Sequence, residues 1–182
     1  MRNVRLPLAA LLLGLAACKA DSFPTTPNTE IAGTYKLTTI NGNALPFSFR
    51  PDSQLVSGTS DTAVFRETLY QDDYELLASG RFHYTTVDSA VTHTTDGSTD
   101  VKGNYSYIYA GSWLQSSNFV RLIADSITMP GQAPALLAQP DTFGLPLPSG
   151  NAISGVAQVA HNSLGPNSIV VVNYTFVYPK QP

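Results

Sequence analysis

Apolar and polar positions alternate with a period of two along most of the chain from Ala32 onward, the spacing of strands with one buried face. In "GTYKLTTI", Tyr35, Leu37 and Thr39 share one face, with Thr34, Lys36 and Thr38 on the other. Asn41-Gly42 follows, and both positions tolerate the positive φ of a tight hairpin turn. After "TSDTAVFRETLYQDD", Ser79-Gly80 separates Tyr74/Leu76/Ala78 from Phe82/Tyr84/Thr86, and Asp96-Gly97 is a further turn. "GNYSYIYAGSW" sets Tyr105, Tyr107 and Tyr109 on one face; the last segment does the same for Tyr174, Phe176 and Tyr178. With "SNFVRLIADSITM" and "NAISGVAQVAH", the pattern predicts about eight or nine strands and no amphipathic helix of useful length. Short, serial, hairpin-linked strands point to an all-β, antiparallel up-and-down barrel, in which closure removes the exposed edges. A β-sandwich is the alternative.

Two features depart from the alternation. Between Met129 and Gly150 stand Pro130, Pro134, Pro140, Pro146 and Pro148, interleaved with Leu136, Leu137, Phe143, Leu145 and Leu147. That density of proline predicts a long loop at 130–150, and its apolar content predicts a flap packed on the barrel; a mobile lid or a partner-docking loop is the alternative. Within the strands, Glu67 falls in phase with Ala63, Phe65 and Leu69, and Arg121 with Phe119 and Ile123. An inward charge would need a partner. An outward face, or a bulge that resets the phase, is the expected resolution.

The first residues have a different organisation. Met1, Arg2 and Arg5 form a short cationic start, and Leu6 to Leu15 reads "LPLAALLLGL". As helix that run is about 15 Å long, half of a bilayer core of about 30 Å, and it has the layout of a secretory signal. It ends in "LAAC", where Cys18 is the only cysteine of the 182 residues. This segment resembles the lipobox of bacterial lipoprotein precursors. The resemblance implies a signal peptide at 1–17, cleavage before Cys18 and diacylglycerol on its thiol. Each buried methylene contributes about 0.8 kcal/mol, so two or three acyl chains give durable anchoring in a membrane. Lys19 stands where inner-membrane lipoproteins carry aspartate, which implies the outer membrane of a bacterial cell envelope. Residues 18–30 then form the lipidated cysteine and a Pro/Thr-rich tether, Lys19 to Glu30, with a reach of roughly 37 Å at about 3.1 Å per residue. Residues 31–182 form the folded domain.

The phrasing of that domain, "AGTYKLTTINGNALP", "ASGRF", "GNYSY" and "VVVNYTFVY", looks like that of small lipocalin-like lipoproteins of bacteria. Gly33-Thr34-Tyr35 occupies the place of the lipocalin Gly-x-Trp, with Tyr in place of Trp. The resemblance implies a barrel whose inward faces carry Tyr35, Phe82, Tyr84, Tyr105, Tyr107, Tyr109, Tyr174 and Phe176. Rings with polar tips would suit a small apolar or amphipathic ligand, and the same rings could equally fill the barrel.

Charge and composition narrow the function classes. The formal charge is −3 and there is no basic run, which argues against a nucleic-acid partner. His83, His93 and His161 lack metal-ligand spacing, no Gly-x-Ser-x-Gly is present, and "DGSTD" at 96–100 lacks the spaced acids of a calcium loop. Asp72-Asp73 reads as a solvated turn. The tripeptides at Asn104 and Asn173 fit the glycosylation pattern, but a bacterial leader argues against that use. The expectation is a non-enzymatic protein without cofactor or metal, tethered to a membrane and binding a lipophilic molecule. A filled barrel serving as an interaction module for another envelope protein is the alternative, and an enzyme whose residues carry no motif ranks third.

Overall fold

The structure is a computed structural model and describes residues 28–55, 62–94, 101–162 and 169–182. Cys18, the expected leader, most of the expected tether and the 96–100 stretch with its expected Asp96-Gly97 turn lie outside the described residues. The described chain is all-β and antiparallel, as the alternation predicts.

Its framework is a run of long strands, β6 (Thr62–Leu76), β7 (Arg81–Thr94), β8 (Val101–Gln115) and β9 (Phe119–Thr128), each paired with the next. β10 (Ala135–Pro146) closes this series on β9. The far edge of β6 is covered piecewise by β5 (Asp52–Leu55), β4 (Phe47–Ser48) and β1 (Gly33–Lys36). A second sheet contains β11 (Ala152–Asn162), β12 (Ile169–Pro179), β2 (Thr39–Ile40) and β3 (Asn43–Ala44). The N-terminal segment joins the sheets, since β1 pairs β6 while β2 pairs β12. The Leu37 amide donates to the Asp72 carbonyl, and the next amide, Thr38, to Val177.

The hairpin turns form where the chain chemistry demands them. Asn41 (φ 52°) and Gly42 (φ 77°) connect β2 to β3. Gly80 (φ 82°) lies in the turn from β6 to β7, closed by the Leu77 amide on the Arg81 carbonyl at 2.8 Å. Trp113 seals this end of the molecule: it is fully buried and its Nε1–H donates to the Leu77 carbonyl at 2.9 Å. The inner face packs Tyr35, Leu76, Phe82, Val120, Leu122 and Ile153 into one core with it.

Three expectations are corrected. The single up-and-down ring is not what the described strands form: they lie in two sheets, and no ladder runs between β10 and β11. The 130–150 stretch is largely strand rather than a flap. Proline lacks an N–H and is tolerated at a sheet edge, and β10 is that edge, with Pro146 opposite Phe119 and an irregularity between Leu136 and Asp141 absorbing Pro140. Asp72 is not a turn residue but sits inside β6.

Candidate functional site

β6 contains a bulge. Leu69 pairs Asp88 and Gln71 pairs Val87, which leaves Tyr70 as an extra residue and reverses the inward phase. Before the bulge Ala63 and Leu69 are buried; after it the buried positions are Asp72, Tyr74 and Leu76. Glu67 is exposed and Arg121 half-buried, so Glu67 does not carry a charge into the core. The charge that does enter is Asp72, 8 % exposed.

Two phenols hold its carboxyl. Tyr84 Oη donates to Oδ2 at 3.0 Å and Tyr178 Oη to Oδ1 at 3.2 Å. The Tyr74 ring stacks on Tyr84 at 4.6 Å and meets Tyr178 edge-on at 5.4 Å. Burial pushes the Asp72 carboxyl up to about 7, with the two phenols opposing that shift and nearby Asp73 adding to it. Burial also raises the phenols of Tyr74, Tyr84 and Tyr178, with the Asp72 charge as the next cause in each. A carboxyl desolvated by rings and steadied by two hydroxyl donors is poised between its acid and its anion near neutral pH.

Asp72 lines a cleft of about 430 Å³ at the unladdered seam. The walls are Leu145 and Pro146 from β10, Ile153 and Ala157 from β11, and Phe176 and Tyr178 from β12. At the seam Pro146 Cγ would lie 3.0 Å from a Cβ on Gly155, so van der Waals contact stands where a ladder would run. A second cleft of about 400 Å³ shares Phe176 but is rimmed by Arg50, Asp52, Arg66 and Glu67. The first fits an apolar body with one polar anchor, the usual composition of a small-molecule site. Among the described residues no group of three or more His, Cys, Asp or Glu could hold a metal ion.

Of the aromatic residues expected to line a lumen, Tyr35, Phe82 and Tyr174 belong to the one buried core, and Tyr84, Tyr109 and Phe176 pack against it. Phe176 lines the cleft, and Tyr84 reaches it through Asp72. Tyr35, Tyr74, Tyr84 and Tyr109 form one cross-strand row, and Tyr109, Tyr107 and Tyr105 continue it along β8 at centroid spacings of 6.4 and 6.2 Å. Tyr105, at the outer end of that series, is 41 % exposed. Phe82 is fully buried opposite Leu76. Tyr174 is buried against Phe47 and Phe49, and its Oη accepts the Arg50 amide at 3.0 Å. Sequence reasoning missed Asp72, although its two- and four-residue spacing from Tyr74 and Leu76 was the available signal.

Comparison with protein-family models, with curated proteins and with solved structures gives no match.

Proposed function

We propose that this chain is a lipid-anchored, non-enzymatic, lipocalin-like protein of the bacterial outer membrane. It holds a small apolar or amphipathic molecule in the cleft between β10 and β11. The anchoring half of this reading rests on "LAAC" and the sole cysteine, Cys18. The binding half is carried by one observation: an apolar cleft of about 430 Å³ with a single buried carboxyl in its lining. That volume is within the range of small-ligand sites. A second reading, docking of another envelope protein, is favoured by Leu136, 86 % exposed on the edge strand β10.

Protein purified from membranes under native conditions should carry an acylated Cys18 and release a lipophilic molecule on solvent extraction. Cys18→Ala should free the chain from the membrane. Ala157→Trp, at an exposed rim position, should abolish the co-purified molecule while preserving the circular dichroism spectrum. A clean extract and no saturable uptake of octanol would overturn ligand binding in favour of docking.

A further inference from the structure

Asp72 is the one buried charged side chain among the described residues. None of the groups acting on its carboxyl is cationic, and the described cleft lining supplies no Lys or Arg. A buried anion without a cation is costly. Two phenol donors do not exhaust it, because a carboxylate offers about four lone-pair sites. Two of the rings around it, Tyr74 and Tyr178, also line the cleft, as does Phe176. Aromatic faces attract cations, most strongly where water is excluded.

We infer that the cleft selects its ligand by head group: a cationic nitrogen seats on Asp72 among Tyr74, Tyr84 and Tyr178, and an apolar body lies along Leu145, Ile153 and Phe176. The ligand class is therefore an amphipathic amine or quaternary ammonium rather than a fatty acid. This inference rests on the ligand-binding reading above and deepens it. It gives a use to the β6 bulge, which turns the carboxyl inward, and to the phenols that hold both of its oxygens.

The pH dependence has a definite sign. A permanent cation binds the carboxylate and not the acid, so its affinity rises with pH through about 7, where the free group titrates. Other titratable groups facing Asp72 are Tyr74 on β6, Tyr84 on β7 and Tyr178 on β12, all neutral in this range because their phenols are raised. Asp73 acts from the other face of β6, opposite Lys36 of β1 in register. β10 and β11 bring no charged side chain to the described lining.

The test is calorimetric titration of the intact protein with octyltrimethylammonium, octanoate and octanol. The expected result at pH 8 is octyltrimethylammonium at least tenfold tighter than octanoate, weakening about tenfold at pH 6 as the carboxyl protonates. Asp72→Asn should erase both the preference and the pH dependence and keep octanol binding. The wild-type pH profile decides the matter by itself if that variant fails to fold. Equal affinity for all three probes, or tighter octanoate, overturns the cationic head group and leaves the ligand-binding reading standing. No uptake of any probe overturns both.

Discussion

Asp72 binds its proton more tightly in the folded chain than in the unfolded one, because the fold removes its water. Its folded value is raised from 3.8 to about 7, so the sign is opposite to that of a salt-bridged aspartate. The stability it contributes is fully present below the unfolded value and is lost as pH rises through about 7. A difference of about three units corresponds to roughly 4 kcal/mol. Urea unfolding from pH 4 to pH 8 should therefore show the wild type losing up to about this much relative to Asp72→Asn. Parallel curves for the two proteins would mean that the carboxyl is not desolvated. The same titration makes the lining of the cleft sensitive to pH near neutrality.

At the scale of the element, β10 is where proline chemistry and sheet topology meet. An edge strand exposes unpaired amides and carbonyls, and prolines there remove donors that a second chain could use. Pro140 and Pro146 lie on β10, whose neighbour β9 occupies one side while β11 is joined by no ladder. Replacing both with threonine restores two N–H groups to this edge strand. Light scattering of Pro140→Thr/Pro146→Thr should show larger species than the wild type at the same concentration. An unchanged size would assign the protection to the irregularity between Leu136 and Asp141 instead. β6 offers the complementary case, in which one inserted residue, Tyr70, changes which side chains face the core.

Across the whole molecule, cohesion is uneven. β6 to β9 are laddered on both sides, whereas β10 and β11 each present an unladdered edge to the seam. Amide exchange follows local opening rather than global unfolding wherever backbone bonds are few. Amides of β7 and β8 should exchange slowest, and those on the facing edges of β10 and β11 fastest. Octyltrimethylammonium should slow the seam and leave β7 and β8 unchanged. Uniform protection across all strands would show that the seam is not a weak line. The cleft of about 430 Å³ lies along the same seam.

The sequence by itself determined the strand class, the turns at Asn41-Gly42 and Ser79-Gly80, and the buried side of β1, because period-two alternation and positive-φ tolerance are local backbone properties. It also carries the expectation of a lipidated Cys18, because the length and charge of the segment before it are linear features. The tertiary structure decided which edges pair, and with that the two-sheet arrangement, since an edge is defined only by a neighbour distant in sequence. It decided that a proline-rich stretch is a strand, because missing donors are tolerated only where no partner needs them. It decided that Asp72 faces inward, because the phase after a bulge depends on β7 pairing across it. Tyr74 and Leu76 recorded that phase in the sequence, but only the packed neighbours Tyr84 and Tyr178 make an inward carboxylate tolerable.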